Sequence, residues 1–141
     1  MTTGEYSVSK AIEYTLDNYL IDIPQQPRWV DGSGLSRYNL FSPSSITFLL
    51  SKMYHEIPQK QLFSYLPQGG TSGTLKNNYQ GQAYVYAKSG TLSNNYSLSG
   101  YLVSKKGQVL IFSYMNNHYA GSSLNRKKEI SIFLNELYES Y

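Results

Sequence analysis

Apolar residues in the first half of the chain recur at helical spacing in three segments. Residues 6–20 carry an apolar stripe and predict an amphipathic helix. Ser42 and Pro43 are typical of a helix start, as N-cap and first helical residue, and the apolar face after them predicts a second helix. Pro58 ends that helix, and a shorter one is expected over residues 59–65.

The second half of the chain changes to β-type patterning. Residues 83–88, 96–103 and 108–115 are β-rich runs, and the last two are joined by a turn with Gly near its end. Residues 122–141 return to helical spacing and predict a helix docked on one face of the sheet. We therefore predict an α+β fold, a small antiparallel sheet packed with helices, in a single domain over residues 1–141.

Two Gly-rich segments are predicted to be loops. Residues 31–37 combine two glycines with two serines and indicate a tight, ordered loop. Residues 68–82 are rich in Gly and Asn and predict a surface loop, with one helical turn at 75–79.

Composition and charge narrow the classes of function. The net charge is only +3 and no dense Lys/Arg run occurs, so no nucleic-acid partner is expected. No apolar stretch reaches roughly 18 residues, so no transmembrane segment is predicted, and residues 1–5 lack the features of a signal peptide. Cysteine is absent, and His55 and His118 lie far apart in the sequence, so neither a thiol nucleophile, a metal site nor a cofactor is expected.

The strongest local chemical signal is the run Lys88-Ser89-Gly90-Thr91, which we expect at the end of a strand. The ammonium group supplies charge, the hydroxyl group donates a hydrogen bond, and Gly lets a ligand approach the backbone. A backbone N–H just after the run could point at a developing oxyanion. A Lys-Ser-Gly tripeptide also occurs by chance, and on its own it fits an ordinary strand end better than a site.

Three longer segments strengthen the functional interpretation. The segment AKSGTLSNNYSLSGYL at 87–102 is similar to the AKTGSL…NLAGY stretch of the D-alanyl-D-alanine carboxypeptidase/endopeptidase subfamily, the class C low-molecular-mass penicillin-binding proteins. DGSGLSRYNLFSP at 31–43 resembles a second hallmark of that subfamily, and YLPQGGTSGTLK at 65–76 resembles its LPLAG..GTL stretch. Lys88-Ser89-Gly90 looks like the K-T-G box of the serine penicillin-recognising enzymes, with Ser in place of Thr. The resemblance implies a partial β-lactamase/transpeptidase-like fold.

The resemblance implies a role for each matching residue. Lys88 would support the proton relay and the terminal carboxylate of the substrate, while the hydroxyl groups of Ser89 and Thr91 would bind that carboxylate. The backbone N–H of Thr91 would form half of an oxyanion hole, and Gly90 would leave room for the acyl group. The residues implied to line the pocket for the side chain of the stem peptide are Leu35, Arg37, Leu92 and Ser93.

Simpler structural roles stay open for several of these residues. Arg37 could form a salt bridge within its own loop, and Leu92 could belong to the core. Asp31, Ser33 and Ser36 are expected to hold the loop through side-chain to backbone hydrogen bonds rather than to contact substrate.

The S-x-x-K and S-x-N boxes of the family lie far upstream of its DGSGLSR segment, whereas only residues 1–30 precede that segment here. The resemblance therefore implies the C-terminal portion of a transpeptidase-like domain. Residues 7–10 fit S-x-x-K, but at the position of a surface helix in the family. Residues 93–95 and 123–125 fit S-x-N out of family position, so we discount all three matches.

These observations imply an acyl-serine peptidase acting on peptidoglycan stem peptides, and binding β-lactams, in the intact protein. The fragment itself is expected to be inactive. A non-catalytic cell-wall peptide-binding module is the alternative, and a β-lactamase-like fragment is disfavoured by DGSGLSR. By family, the intact protein would be periplasmic or otherwise extracytoplasmic. We also expect a homodimer, through tyrosines on the predicted strands: Tyr84, Tyr86, Tyr96, Tyr101 and Tyr114.

Overall fold

The structure, a computed structural model, describes residues 7–141 and confirms the predicted α+β fold. Within that range the backbone forms two compact units, one reaching Leu49 and one covering residues 50–141. The single domain expected from the sequence stays a prediction. The helices are α1 (Val8–Tyr19), α2 (Pro43–Glu56), α3 (Gln59–Ser64) and α4 (Ser123–Ser140), with a 3-10 turn at Gly73–Leu75; the strands are β1 (Val85–Leu92), β2 (Asn95–Val103) and β3 (Val109–Asn117).

The first unit consists of α1, an irregular segment and the start of α2. Ser7 caps α1, because its hydroxyl oxygen accepts a hydrogen bond from the backbone N–H of Lys10 at 3.4 Å. After the helix, Arg28 and Leu40 pair through two backbone hydrogen bonds of 3.0 and 2.7 Å. This pair closes the base of the loop that contains the DGSGLSR segment.

The second unit is built on an antiparallel sheet in the order β1-β2-β3. The β1–β2 hairpin turns through Ser93 and Asn94, and Asn94 has φ 61°, a left-handed conformation that Asn tolerates better than most residues. The β2–β3 hairpin turns at Gly107, whose φ is 81°. Both hairpins are short, so the strands of the sheet are consecutive in the sequence.

One face of the sheet carries the hydrophobic core of this unit. Ile130 and Leu134 on α4 are fully buried against it, as the predicted periodicity of the last helix requires. The turn at 73–75 contributes Leu75, which is also fully buried. The buried members of this cluster are Leu75, Tyr79, Val85, Ala87, Tyr96, Leu98, Leu102, Phe112, Ile130 and Leu134.

The opposite face of the sheet is covered by aromatic side chains. Tyr101 has no exposed surface, and its hydroxyl group donates a hydrogen bond to the backbone oxygen of Leu50 at 2.7 Å. Phe63 from α3 stacks on Tyr86 with ring centroids 4.3 Å apart and lies 5.5 Å from the ring of Tyr101. Burial raises the pKa of Tyr101 to about 12.

The structure corrects three expectations from the sequence. The strand expected to end at Lys88 continues to Leu92, because β2 supplies backbone partners as far as the pair Leu92↔Asn95. Residues 68–82 are not only a surface loop, since Leu75 and Tyr79 from this segment fill the core.

The tyrosines assigned to an interface are also partly misassigned. Tyr96 and Tyr101 are 2% and 0% exposed, so neither can offer surface to a second molecule. Alternation along β2 would allow only one of them to face solvent, because they lie on opposite faces of the sheet. Both faces are covered in this unit, and both rings are therefore buried.

Candidate functional site

The Lys88-Ser89-Gly90-Thr91 run lies within the second half of β1, where the strand leaves the core. Burial falls along the strand, from Val85 and Ala87, which are fully buried, to the last three residues, which are all exposed. Ser89 lies opposite Leu98 and thus on the α4 face, whereas Lys88 lies opposite Ser99 on the aromatic face. The strand therefore presents the hydroxyl groups of Ser89 and Thr91 on one face of this exposed edge and the ammonium group of Lys88 on the other.

The outer edge of β1 is covered at its start and open at its end. The backbone N–H of Gly69 donates to the oxygen of Val85, and the N–H of Ala87 donates to the oxygen of Pro67, both at 2.9 Å. Every second residue of a strand directs its backbone groups to the same side, so those of Ser89 and Thr91 also point to this edge. Within residues 7–141 no backbone hydrogen bond reaches them there.

Two side-chain contacts fix the polar groups at this edge. The ammonium group of Lys88 donates a hydrogen bond to the backbone oxygen of Ser89 at 2.6 Å, so its positive charge lies beside the open edge. The hydroxyl group of Ser89 donates to Oγ1 of Thr74 at 3.0 Å. Thr74 belongs to the segment YLPQGGTSGTLK, in which no local pattern marks it as a site residue. Its role depends on a contact between residues fifteen positions apart.

Gly90 lies on the aromatic face of the strand, where a side chain would meet an obstacle. A Cβ atom built at this position would lie 2.9 Å from Oγ of Ser97, closer than such atoms come in proteins. Leu92 is 36% exposed, so it is not a core residue. Ser93 is exposed in the hairpin turn beyond it. Gly90, Thr91, Leu92 and Ser93 therefore form an accessible strand end.

The loop with the DGSGLSR sequence lies in the first unit and is held by Asp31 and Asn39. The carboxylate of Asp31 accepts hydrogen bonds from the backbone N–H of Ser33 at 3.0 Å, from its hydroxyl group at 2.8 Å, and from Nδ2 of Asn39 at 3.1 Å. These bonds hold the pKa of Asp31 below its usual value, with the Ser33 hydroxyl group the largest cause. The hydroxyl oxygens of Ser33 and Ser36 accept from backbone N–H groups two residues further on, so all three residues hold the loop as expected.

Leu35 and Arg37 project from this loop. Leu35 is 78% exposed, an unusual position for a large apolar side chain. Arg37 is also exposed, and no hydrogen bond or salt bridge to its guanidinium group occurs within residues 7–141. The alternative of a salt bridge within the loop is therefore wrong. That these two residues share a site with Lys88 stays a prediction.

The discounted motifs have structural roles in the described residues. Ser7 caps α1, and its hydroxyl group shares a hydrogen bond with that of Ser9 at 2.7 Å. Residues 93–95 form the β1–β2 turn, where Nδ2 of Asn95 donates to the backbone oxygen of Ser93 at 3.1 Å. Residues 123–125 form the first turn of α4. Local hydrogen bonds thus account for the Ser7 and Asn95 side chains.

The sequence from residue 5 to residue 137 matches the D-Ala-D-Ala carboxypeptidase 3 (S13) family. The chain belongs to this family. The match spans both the DGSGLSR loop and the Lys88 strand and confirms the resemblance drawn from the residues. A curated relative, the penicillin-sensitive carboxypeptidase A of Dictyostelium discoideum, is 40% identical over 65 residues, which cover 43% of this chain and 12% of that protein.

Solved structures of longer proteins share the fold of this family member. Penicillin-binding protein 4 of Haemophilus influenzae, complexed with a β-lactam, has a TM-score of 0.74 and 26% sequence identity over 93% of this chain. A predatory endopeptidase of Bdellovibrio bacteriovorus, in complex with an immunity protein, has a TM-score of 0.71 at 20% identity, a likeness of fold alone. The chain spans 33% and 37% of these two proteins. Among residues 7–141, no helix is both long and apolar enough to cross a bilayer.

Proposed function

We propose that this chain supplies the substrate-binding strand of a serine-type D-Ala-D-Ala carboxypeptidase or endopeptidase that acts on peptidoglycan stem peptides outside the cytoplasmic membrane. The observation that carries the proposal is the open edge at Ser89 and Thr91. There, outward backbone groups stand beside an ammonium group and two hydroxyl groups. An extended peptide that ends in a carboxylate complements this combination of strand edge and positive charge.

Each residue has a stated role in that proposal. Lys88 and the hydroxyl groups of Ser89 and Thr91 bind the terminal carboxylate, and Thr74 orients Ser89 through its 3.0 Å hydrogen bond. The backbone N–H of Thr91 stabilises the oxyanion that forms when a nucleophile attacks the scissile carbonyl. Gly90 keeps the strand surface free of a side chain where the acyl group passes.

The remaining implied residues act on the side chain of the stem peptide. We propose that Arg37 binds a carboxylate there, because a guanidinium group can hold a carboxylate through two parallel hydrogen bonds. The exposed side chain of Leu35, with Leu92 and Ser93 at the strand end, contacts the aliphatic part. A ligand in these positions would cover apolar surface that both segments leave in solvent.

Peptide binding tests the proposed strand. We expect a peptide ending in D-Ala-D-Ala to shift the NMR amide signals of Ser89 and Thr91, and an L-Ala-L-Ala peptide or a C-terminal amide to shift them much less. Lys88→Ala should weaken binding, whereas Lys128→Ala, which removes an exposed lysine from α4, should not. Equal binding of the two diastereomers, or equal effects of the two lysine variants, would contradict the assignment.

Catalysis by this chain alone is a separate question with its own measurement. The one S-x-x-K sequence in the chain is residues 7–10, and Ser7 there serves as a helix cap. We therefore expect no penicillin adduct in intact-mass spectrometry after incubation with a β-lactam, because the acyl-serine route depends on an activated nucleophile. A stoichiometric adduct would contradict this expectation, and an adduct on Ser7 would identify that residue as the nucleophile.

A non-catalytic cell-wall peptide-binding module is the second candidate. It is favoured by the same open edge, which can hold an extended peptide without any nucleophile. The two candidates differ in the coding sequence upstream of residue 1. S-x-x-K and S-x-N boxes there would support the peptidase, whereas their absence, combined with stereospecific peptide binding, would support the module.

A further inference from the structure

Tyr79 has a backbone conformation that aromatic residues rarely adopt. Its φ is 58°, in the left-handed region that glycine and asparagine tolerate better. The backbone around it is closely packed, because the N–H of Gly70 donates to the oxygen of Asn78 at 3.0 Å, and a Cβ atom at Gly70 would lie 3.0 Å from the oxygen of Tyr79. A conformation of this kind persists only where surrounding contacts require it, so the Tyr79 side chain must make contacts that offset its cost.

The hydroxyl group of Tyr79 meets that of Tyr96 in the interior of the second unit. The two oxygens are 2.8 Å apart, and the two residues are 5% and 2% exposed. Burial raises the pKa of both tyrosines, so both hydroxyl groups stay protonated at neutral pH and one donates to the other. The ammonium group of Lys127 on α4 lies over the Tyr96 ring, 5.6 Å from its centroid. The ring is therefore held at its hydroxyl end by Tyr79 and on one face by α4.

Tyr96 lies directly opposite Thr91 in the β1–β2 ladder. The backbone groups of Thr91 point to the outer edge, so this is a non-hydrogen-bonded pair, in which two opposite side chains come closest. β2 thus bonds to the backbone of β1 only before and after Thr91, and at Thr91 itself it offers the Tyr96 ring as a support from the α4 face. A shift of that ring would move the exposed strand end that carries Thr91.

Residues 74–79 contact the strand beneath both hydroxyl groups of the candidate site. Oγ1 of Thr74 accepts the hydrogen bond from Ser89 at 3.0 Å, and Tyr79 reaches Thr91 through Tyr96. Leu75 is fully buried and anchors this segment in the core. Because Ser89 and Thr91 share one face of β1, a single stretch of chain sets the position of both.

We propose that Tyr79 is a positioning residue of the candidate site: its hydrogen bond to Tyr96 sets the position of Thr91, and with it the N–H and the hydroxyl group that meet the substrate. This inference rests on the proposed function, which assigns the oxyanion and the terminal carboxylate to Thr91. All of its contacts lie within the second unit of the chain. An N–H stabilises an oxyanion only at hydrogen-bond distance, so a small displacement of Thr91 would weaken that contact.

Two tyrosine variants test the positioning role. Tyr79→Phe removes the hydroxyl group and keeps the ring. Tyr101→Phe is the matched control, because Tyr101 is also a buried tyrosine of the second unit whose hydroxyl group forms a hydrogen bond, but it lies on the opposite face of the sheet. Both variants should lower the free energy of unfolding, since each loses a buried hydrogen bond. Only Tyr79→Phe should shift the NMR amide signal of Thr91 in the protein without peptide.

Peptide binding gives the second measurement. We expect Tyr79→Phe to weaken the binding of a peptide ending in D-Ala-D-Ala several-fold, and Tyr101→Phe to leave it unchanged. The double variant with Tyr79→Phe and Tyr96→Phe leaves neither hydroxyl group unpaired, so it should be more stable than Tyr79→Phe and yet bind the peptide no better. Recovery of affinity together with stability would overturn the proposal, because the pair would then act on stability alone.

The positioning role and the proposed function fail in different measurements. If the wild type binds the D-Ala-D-Ala and L-Ala-L-Ala peptides equally, the proposed function is contradicted. If the Thr91 amide signal is the same in the wild type and in Tyr79→Phe, or moves equally in Tyr101→Phe, the positioning role of Tyr79 is overturned whether or not the peptide binds.

Discussion

Replacing Tyr101 with Phe gives a prediction whose sign changes with pH. The Tyr101 side chain is fully buried, and its hydroxyl group donates one hydrogen bond, to the backbone oxygen of Leu50. That oxygen lies in α2, where it can also accept from the N–H four residues later, so the substitution leaves no fully unpaired carbonyl. We therefore expect Tyr101→Phe to lower the free energy of unfolding at pH 7 by about 1 kcal/mol.

At alkaline pH the same hydroxyl group makes the wild type less stable relative to the Tyr101→Phe variant. Burial raises the pKa of Tyr101 to about 12 from its ordinary value of 10.0, so the folded state resists ionisation that the unfolded state permits. The stabilisation from this difference is complete below pH 10 and is lost progressively as the pH rises toward 12. By pH 11 the raised pKa of Tyr101 lowers the free energy of unfolding of the wild type by about 1.4 kcal/mol. This loss exceeds the contribution of about 1 kcal/mol from the hydrogen bond that Phe cannot form.

The measurement is urea unfolding of both proteins, followed by circular dichroism, at several pH values from 7 to 11. We expect the wild type to be more stable at pH 7 and the Phe variant to be equal or slightly more stable at pH 11. Tyr65→Phe is the control, because Tyr65 is 59% exposed and should show little effect at any pH. A constant difference between wild type and Tyr101→Phe across the range would refute the burial of this hydroxyl group.

Two further predictions concern the core and the loop. Leu98 is fully buried and lies opposite Ser89 on the sheet, so Leu98→Ala should lower the free energy of unfolding by about 3–5 kcal/mol. A loss below about 1 kcal/mol in urea unfolding would contradict the packing of this side chain. Hydrogen bonds from Ser33 and Asn39 lower the pKa of Asp31, so its carboxylate stabilises the loop at pH values above its ordinary pKa. This contribution is lost as the pH falls through the lowered pKa. The protection factor of the Ser33 amide, which is its intrinsic exchange rate at a given pH divided by its observed rate, should therefore be smaller in acid and smaller in Asp31→Asn. An unchanged protection factor in both cases would contradict the role of the carboxylate.

The sequence predicted most of the helices and the meander because those elements depend on local periodicity. The predicted helix over residues 6–20 corresponds to α1 and the one over 122–141 to α4, with small differences at their ends. The β-rich run in the sequence stops at Lys88, four residues before β1 ends at Leu92, because Lys-Ser-Gly-Thr is not a typical strand sequence, whereas the expectation that Lys88-Ser89-Gly90-Thr91 lies at the end of a strand is confirmed. Pairing with β2 overrides that local preference, and no local pattern reveals it.

Some residues of the candidate site can likewise be predicted from local sequence, whereas others depend on contacts that only the fold creates. Motif resemblance identified Lys88 and Ser89 because their types and order are local. Thr74 could not be predicted in the same way, because its role arises only when the fold brings its hydroxyl oxygen within 3.0 Å of that of Ser89. This contact has a physical consequence for the proposed role of Ser89. A hydroxyl group has one proton, so while Ser89 donates to Thr74 it can offer a ligand only its lone pairs. A carboxylate, which only accepts, must therefore draw the proton of Ser89 away from Thr74 on binding.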